Sequence, residues 1–552
     1  MPDRKAAVDA EVRILVRPPR PLSPATVTRI VRAELAATVW GGDHPVRSSA
    51  IDAPDTSPAR NDVLVRIGML ERTADIAARR THDLVQRLYD TKRFLRVEAD
   101  LPTAVYDPAG VTTTWARPAL GATAAAPDPA TDPHDWPRRV MKVPAALALM
   151  SPSVRGGKGI VIGHPDSGYT DHPMLGLDHL DRQRDRDVIS GDDDARDPLR
   201  SPKRRLFNLL PNPGHGTATA SVLVGTGEGG GDGLFGGVAP AATVIPIRAT
   251  ESVVQVFDSD VAAAVRWARA QRCHVVSMSL GGTGLFGLED AIQEAVDDGI
   301  IAMAAAGNQV GIVTAPASYP NCLGVAATTV HGTAWTGSSR GRQVDLSAPG
   351  GDVWAAQFDW KRQGRPGYTL GRSSGTSYAV AHTAGVVALW LAHHGRSKLI
   401  DTYGRAHIQA LLLYLLRQPG VCRQPTGWDG RNLGAGILDA HALLQAPLPD
   451  PHVLVAPRPA APLAADPLDR LAATLDRTPD ELRPVIDGIL GPGSSRDIGL
   501  LRRFEGELAY HLTDPASREL LLGGGPSLAA STAQMKLRGA SPQLTARLAG
   551  AI

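Results

Sequence analysis

Cysteine is scarce in this sequence: Cys273, Cys322 and Cys422 are the only three in 552 residues. Three widely separated cysteines cannot all pair within one chain, and their spacing fits no cysteine metal site, so no disulfide framework is expected. The chain also has no large excess of either charge, because acidic and basic residues nearly balance and the formal net charge is +2. Without a domain-wide basic excess to neutralise phosphates, we expect no nucleic-acid partner.

Long apolar runs are absent as well. No segment approaches the roughly 18 apolar residues of a membrane-crossing helix, and the first residues contain no unbroken apolar run of the kind found in a secretory signal. These absences predict a cytoplasmic protein with no membrane partner, with export by a non-standard route left open. The 43% hydrophobic content is ample for a large core, and a chain of this length favours several domains.

The N-terminal region reads as one compact unit. Val12, Ile14 and Val16 alternate with polar residues, as in a half-buried strand, and Ser23-Pro24 has the chemistry of a helix start. Two further strands, a second helix and a last strand follow up to residue 101. This βαββαβ order predicts a ferredoxin-like α+β domain over residues 1–102; an unrelated α+β accessory domain is the alternative.

Beyond it, composition divides the rest of the chain. Residues 103–135 and 447–465 are rich in proline and alanine without periodicity, which is typical of linkers. Between them, over 136–446, buried-strand runs alternate with helical segments, which predicts an α/β domain with a mainly parallel sheet and helices on both faces. Residues 466–552 predict a small helical domain.

Three tripeptides in the middle domain have the residue types of nucleophilic amide hydrolysis. They contain Asp166, His215 and Ser377, in that order along the chain. A serine hydroxyl would attack, an imidazole would take its proton, and a carboxylate would orient the imidazole. Each tripeptide alone has an ordinary explanation, since Asp-Ser-Gly favours turns and Gly-Thr-Ser favours helix caps.

Each of these side chains occurs in a suitable local context. Asp166 follows a strand-like run, at the edge where open α/β sheets place their sites. His215 and Ser377 each precede an apolar helical run, so a backbone N–H at Ser377 would be free to bind an oxyanion. His164 and His172 flank the aspartate, but neither is followed by small residues and a helix.

Two further segments complete the predicted site. Asn308 follows the strand-like run ending at Gly307, and its carboxamide could donate a second hydrogen bond to an oxyanion. Residues 277–282 end another strand, and we expect their backbone to be exposed and to pair with an extended peptide.

Taken together, these residues resemble the subtilase family over roughly residues 136–446. Further segments match the family's pattern: Gly237–Pro240, Pro316–Pro320, Ala348–Gly350 and Gly434–Ala440. The resemblance implies a serine endopeptidase with catalytic Asp166, His215 and Ser377 and with Asn308 in the oxyanion hole. It also implies that the substrate's main specificity pocket is lined by Ser279, Leu280, Gly281, Ala304, Ala305, Ala306 and Gly307.

The same resemblance gives the N-terminal unit a role. Subtilases are commonly made with a ferredoxin-like propeptide that assists folding and blocks the cleft, so residues 1–102 are expected to act as an intramolecular inhibitor of a self-processing zymogen. The chain departs from the family where Tyr378 and Ala381 follow the serine, where Ala218 follows His-Gly-Thr, and at Pro165. None of these departures removes a reacting group, but they put the fit of substrates in question.

Three expectations concern cofactors and partners. No cofactor is required by this chemistry, although the acidic stretch 192–197 could bind a structural calcium ion; a solvated loop is the alternative. The partner is a polypeptide substrate. Two alternative functions stay open: a signalling component activated by a regulatory protein that docks on the C-terminal helices, and a catalytically idle pseudoprotease that only binds peptides.

Overall fold

A computed structural model of the chain describes residues 11–37, 44–50, 62–68, 74–102, 134–199, 212–226, 236–254, 256–359, 367–454, 466–523, 537 and 539–549. Most of both predicted linkers therefore lies outside the described residues. Among the described residues, no helix combines the length and apolar character needed to cross a membrane.

The N-terminal unit has the predicted βαββαβ order. Its elements are β1 (Glu11–Arg17), α1 (Pro24–Ala36), β2 (Val46–Ala50), β3 (Val63–Gly68), α2 (Ala74–Asp90) and β4 (Arg96–Asp100). The four strands form an antiparallel sheet in the order β2-β3-β1-β4. Ser23 caps α1 by accepting a hydrogen bond from the Thr26 backbone. Ile76 is an apolar residue in the first turn of α2, and it is 46% exposed.

The middle of the chain forms a second, nine-stranded sheet. Its strands are β5 (Val161–Asp166), β6 (Arg186–Asp187), β7 (Thr243–Arg248), β8 (Val275–Met278), β9 (Ile301–Ala305), β10 (Leu323–Thr328), β11 (Val344–Pro349), β14 (Cys422–Arg423) and β15 (Ile437–Leu438). They are arranged in the order β14-β15-β11-β10-β9-β8-β5-β7-β6. All described pairs are parallel except β14–β15. A separate antiparallel hairpin, β12 (Val353–Asp359) and β13 (Gly367–Ser373), was not foreseen from the sequence.

Helices cover this sheet, as the sequence predicted. They are α3 (Trp136–Val140), α4 (Val143–Leu149), α5 (His215–Val224), α6 (Asp258–Ala270), α7 (Phe286–Asp297), α8 (Thr376–His394), α9 (Arg396–Tyr403), α10 (Ile408–Leu416), α11 (Gly430–Leu433) and α12 (Ala440–Gln445). Two large apolar cores lie on either side of the sheet, one built around α5 and α8 and the other around α6 and α7. The predicted fold class is thereby confirmed.

The C-terminal region is helical, as expected. It contains α13 (Pro467–Thr474), α14 (Pro479–Leu490), α15 (Ile498–Thr513), α16 (Pro515–Gly523) and α17 (Pro542–Leu548), which share one apolar core. Asp466 and Thr478 cap the first two of these helices. Ile498, the first residue of α15, is apolar and 48% exposed.

The C-terminal helices pack against the N-terminal domain, which lies at the other end of the sequence. Helix α15 lies against β4 and α2, and α17 lies against α2. Arg503 pairs with Asp90 at 2.7 Å, and the Tyr89 hydroxyl donates to the Arg502 carbonyl at 3.2 Å. The two terminal regions are therefore in direct contact. The turn after α13 also reaches the middle domain, through the Arg342–Asp476 ion pair at 3.0 Å.

Candidate active site

Three neighbouring strands of the large sheet end at one edge and supply the site. Asp166 is the last residue of β5, Ser279 follows β8, and Asn308 comes three residues after β9. Because these strands are adjacent and parallel, their carboxyl ends meet. His215 and Ser377 instead lie in the first turns of α5 and α8, two helices that pack against each other over this edge.

Asp166 and His215 form a direct pair. His215 Nδ1 lies 2.8 Å from Asp166 Oδ1, and the aspartate is fully buried. The Ser167 backbone N–H donates to the same oxygen at 2.7 Å, and Thr219 Oγ1 donates to the other at 3.1 Å. Burial alone would raise the pKa of Asp166, but attraction to His215 and these hydrogen bonds outweigh it and hold the pKa below its usual value. The carboxylate is therefore charged and fixed toward the imidazole.

A network missed from the sequence holds α5 against β5. Asp197 Oδ2 accepts from Ser167 Oγ at 2.7 Å and from the Gly214 backbone at 2.6 Å, and Ser167 Oγ accepts from the Gly216 backbone at 3.0 Å. A Cβ added at Gly216 would lie 2.1 Å from the Gly168 carbonyl oxygen. Glycine is therefore needed at this position because α5 packs closely against the end of β5.

The acidic stretch contributes to this network through one residue. Asp197 is buried and turned inward, whereas Asp193 is exposed and pairs with Arg186. Asp192 and Asp194 accept hydrogen bonds from backbone N–H groups two residues further on. The position of Asp197, five residues beyond the first aspartate of the stretch, carried no sequence signal for a role beside the candidate triad.

Ser377 is hydrogen-bonded to the backbone of Ser279. Its Oγ donates to the Ser279 carbonyl at 3.3 Å, and Ser279 Oγ donates back to the Ser377 carbonyl at 3.0 Å. Among the hydrogen bonds of the described residues, none joins Ser377 to His215. The structure thus brings Asp166 and His215 together and leaves the serine hydroxyl bonded to the backbone.

Asn308 is anchored through its amide oxygen to Thr376, the residue before Ser377. Its Oδ1 accepts from both the backbone N–H and the hydroxyl of Thr376, each at 2.9 Å, so its Nδ2 is oriented as the remaining donor. The Ser377 backbone N–H, at the second position of α8, makes no hydrogen bond to another described residue. A helix N-terminus with such a free donor suits a developing negative charge.

A pocket beside these residues contains part of the predicted substrate segment. Of that segment, Ser279, Leu280, Gly281, Ala305 and Gly307 line it, while Ala304 and Ala306 are fully buried behind the wall. The remaining lining residues, apart from Ser377, are Val253, Val254, Asn308, Val310, Thr314 and Thr376. No charged side chain is among the described residues that line this pocket.

The backbone edge that was expected to accept a peptide is already paired. The Gly281 N–H donates to the Val253 carbonyl at 2.9 Å, and the Gly282 N–H donates to the Ala315 carbonyl at 2.8 Å. The expectation of an exposed edge is therefore wrong for this conformation, because the segment around Val253 folds over it. The pairing is a long-range contact that leaves no pattern in the local sequence.

The two histidines near Asp166 have structural partners. His164 Nε2 contacts Thr219 Oγ1 at 3.1 Å, and burial lowers the pKa of His164. His172 accepts from the Met174 backbone through Nδ1 and faces two carbonyls of the β12–β13 hairpin through Nε2. Neither histidine contacts Ser377 among the described residues.

An Asp–His pair at a parallel-sheet edge, next to a serine at a helix N-terminus and a free amide donor, is the arrangement of a serine-protease domain. Residues 157–428 match the model of the subtilase family. This region of the chain is a subtilase domain.

Curated relatives and a solved structure are similar to part of this chain. Subtilisin E of Bacillus subtilis (strain 168) is 33% identical over 186 residues, which is 33% of this chain and 46% of the relative. Thermitase of Thermoactinomyces vulgaris is 35% identical over 187 residues, which is 33% of this chain and 63% of the relative. The chain thus spans between about half and two thirds of the length of these relatives. A protease structure from Pseudoalteromonas arctica PAMC 21717 is 25% identical, with a TM-score of 0.46, over 57% of this chain and 98% of that one.

Proposed function

We propose that this protein is a serine endopeptidase that cleaves peptide bonds through an acyl-enzyme. The observation that carries the proposal is the buried, charged Asp166 paired at 2.8 Å with His215, beside a serine at the start of α8. The subtilase domain supports the same activity. The Asp166 carboxylate needs no cofactor to orient the imidazole.

The reaction would proceed in two halves. Ser377 Oγ attacks the carbonyl carbon of the scissile bond and gives its proton to His215, and the negative oxygen is bound by Asn308 Nδ2 and the Ser377 N–H. The C–N bond then breaks, and His215 passes the proton to the leaving amine. Water next attacks the acyl-enzyme, gives a proton to His215 and releases the acid, while Ser377 recovers its hydrogen.

Two contacts of the present conformation would have to change before catalysis. Ser377 Oγ must leave the Ser279 carbonyl and turn toward His215, and a peptide must displace the Gly281–Val253 hydrogen bond to pair with this edge. Both are single hydrogen bonds, each with a net value of about 1 kcal/mol. A bound peptide can therefore supply the free energy to open them.

The pocket supports a preference for apolar residues on the acyl side of the cleaved bond. Its walls include Val253, Leu280, Ala305 and Val310, and the described residues that line it include no carboxylate that would pair with lysine or arginine. Transfer of an aliphatic side chain into such a pocket gains about 1.5–3 kcal/mol. A peptide library showing a dominant basic preference would contradict this part of the proposal.

We further propose that the N-terminal domain is the intramolecular inhibitor of this protease. Its strand β4 places Glu98 at the start of α7, where a carboxylate oxygen accepts from the Phe286 N–H at 3.1 Å. Asp100 of the same strand is buried beside Ser259 in the first turn of α6, and interaction with Ser259 opposes the rise in the pKa of Asp100 that burial causes. Carboxylates at helix N-termini are favourable for both the dipole and the unpaired N–H groups.

Buried ion pairs support the same docked arrangement. Arg17 of β1 contacts Asp62 of its own domain at 2.5 Å and Asp290 of α7 at 2.6 Å, and Arg13 contacts Asp260 of α6 at 2.7 Å. When the domain is released, both charges of each pair return to water, so these pairs chiefly specify the docked geometry. A docked geometry fixed in this way suits an inhibitor that is retained until a trigger or cleavage intervenes. Two further expectations stay predictions: that a regulatory protein acts on the C-terminal helices, and that the protein is located in the cytoplasm.

The test compares intact masses and peptide hydrolysis for the wild type, Ser377→Ala and the matched control Ser374→Ala. We expect the wild type and the control to be trimmed between about residues 95 and 160 and to hydrolyse a short apolar peptide. The Ser377→Ala protein should stay full length and inactive, because removal of the nucleophile stops acylation. Hydrolysis that persists in Ser377→Ala would overturn the assignment of the nucleophile.

A further inference from the structure

A buried cluster of two histidines and one glutamate lies between the N-terminal domain and the C-terminal helices. His82 belongs to α2, and Glu507 and His511 belong to α15; their exposed fractions are 1%, 3% and 1%. Each residue offers one donor atom within 4.8 Å of the donors of the other two. Among the residues that the structure describes, no other three histidine, cysteine or acidic side chains converge in this way.

The fold explains why these three side chains meet. Glu507 and His511 are four residues apart and therefore point from the same face of α15, and α2 packs against that helix. Paired ligands at positions i and i+4 are a recurrent way for a helix to hold zinc. His82 approaches from the opposite helix, so the donors come from two domains.

Hydrogen bonding around the cluster leaves lone pairs unused. His82 Nδ1 lies 3.2 Å from the Gly539 carbonyl, which can only accept, so the ring hydrogen is on Nδ1 and Nε2 carries the lone pair. This Nε2 has no hydrogen-bond partner, and neither has Nε2 of His511. A buried polar atom without a partner costs about 1–3 kcal/mol. Two such atoms in one cluster point to a missing ligand.

The carboxylate is oriented by groups around it. Glu507 Oε1 accepts from the Ser541 backbone at 2.6 Å, and Oε2 accepts from the Ser541 hydroxyl at 2.9 Å. The Gly539 carbonyl orients the His82 ring by accepting a hydrogen bond from Nδ1. Metal sites characteristically have such an outer layer of hydrogen bonds, which fixes the tautomer of a histidine and the direction of a carboxylate.

We propose that His82, Glu507 and His511 bind one divalent transition-metal ion, zinc in the first place, which links the N-terminal domain to the C-terminal helices. Two imidazole nitrogens and one carboxylate oxygen suit zinc, whereas calcium and magnesium take oxygen ligands. Zinc–ligand bonds of about 2.0–2.1 Å place donors about 3.3 Å apart in a tetrahedron, so the three side chains, whose donor atoms lie within 4.8 Å of one another, need to close by about 1.5 Å at most. His82 Nδ1 is 3.9 Å from Glu507 Oε1, so the His82 ring must also turn to present Nε2 to the ion. Water would supply the fourth ligand.

The experiment uses the full chain carrying Ser377→Ala, so that self-cleavage cannot intervene. The protein is stripped with a chelator, desalted and titrated with Co²⁺, followed by visible absorption, and with Zn²⁺, followed by calorimetry. We expect one equivalent to bind and zinc to raise the melting temperature, because a ligand that binds only the folded state stabilises it. Failure of the chain to bind either metal with 1:1 stoichiometry would overturn the proposal.

Three variants and a control locate the metal. Glu507→Gln, His511→Asn and His82→Asn should each weaken binding by about 100-fold or more, since loss of outer-layer partners alone costs about 10–100-fold. The control, His452→Asn, changes an exposed histidine and should bind like the parent. Binding at parental affinity in all three variants would refute the assignment.

X-ray absorption of the zinc-loaded parent protein gives an answer that does not depend on how the variants fold. We expect two imidazoles in the first coordination shell and no sulfur. Sulfur ligands would assign the metal to Cys273, Cys322 or Cys422 instead and would overturn the proposed site.

Discussion

Thr376 holds Asn308 by two hydrogen bonds, one from its backbone N–H and one from its hydroxyl, both 2.9 Å long. The same hydroxyl accepts from the Gly307 N–H at 3.2 Å. The residue before the proposed nucleophile therefore fixes the amide that is to bind the oxyanion. Its side chain orients another donor and touches no reacting atom itself, so it is a positioning residue.

Replacement of Thr376 by valine should lower kcat with little change in KM. Valine keeps the shape of threonine but removes the hydroxyl, so Asn308 is held by one hydrogen bond instead of two. Loss of an entire oxyanion donor in a subtilisin lowers kcat by about 10²–10³; because the amide here is only loosened, we expect a fall of about 10-fold. Steady-state kinetics on a short peptide measure the effect. The control, Thr376→Ser, retains the hydroxyl and should stay close to wild type; equal kcat values in the two variants would contradict the positioning role.

Asp258 should make stability depend on pH at the boundary with the N-terminal domain. Burial and the neighbouring Asp100 carboxylate raise the pKa of Asp258 to about 8, and burial raises that of Asp100 to about 6, despite Arg13 nearby. Both values exceed the usual value of about 3.9 in an unfolded chain, so the folded protein binds protons more tightly. Stability is therefore greatest at low pH for these groups and is lost as pH rises through about 6 and then about 8.

Urea unfolding of the Ser377→Ala chain from pH 5 to pH 9 measures this dependence. The free energy of unfolding should fall less with pH in Asp258→Asn than in its parent, by at least about 1–2 kcal/mol, since one pKa unit corresponds to about 1.4 kcal/mol. The exposed Asp401 provides the control substitution, Asp401→Asn, which should leave the parental pH profile unchanged. The same pH profile in Asp258→Asn and its parent would show that Asp258 is not the source.

Glu505 should help to retain the N-terminal domain. This α15 carboxylate accepts from Arg96 of β4 at 3.0 Å and from Arg470 of α13 at 2.7 Å, and Arg96 also binds Glu98 at 2.6 Å. Breaking a buried pair of this kind costs about 3–5 kcal/mol, which corresponds to about a 100-fold or larger loss of affinity. Glu505→Gln should therefore weaken the hold on the N-terminal domain.

A site-specific cut between residues 103 and 133, made in the Ser377→Ala protein through an inserted recognition sequence, tests this. We expect the two fragments of the parent to elute together in gel filtration at dilutions where those of Glu505→Gln separate. The exposed Glu519 on α16 gives the control Glu519→Gln, which should behave like the parent. Fragments that separate equally well in all three proteins would refute the contribution of Glu505.

Local patterns were sufficient for much of the fold. The alternation in β1 and the Ser23-Pro24 helix start depend on neighbours in the chain, and both are present in the structure. The Asp166–His215 pair was also predictable, since each residue lies in a recognisable segment at a strand end or helix start. The exposure of Ile76 was not, because it depends on where the first turn of α2 lies relative to the core.

Contacts between distant segments account for what could not be predicted. Glu505, Arg470 and Arg96 each have the sequence character of a solvated surface charge, and only packing of the domains buries them together. The Val253–Gly281 pairing closes the cleft edge across a separation of 28 residues. The convergence of His82 with Glu507 and His511 joins positions more than 400 residues apart, and no local period or motif encodes such a meeting.

The contact between α15 and β4 has a consequence for the order of events at the ribosome. Because translation proceeds from the N-terminus, β4 and the subtilase domain emerge before residue 498 exists. The N-terminal domain can therefore first dock only through its contacts with α6 and α7, which include those of Arg13, Arg17 and Glu98, and the contacts of α15 are added once residues 498–513 have been made. The N-terminal domain is accordingly held by one set of contacts while the subtilase domain begins to fold, and by two after α15 has formed.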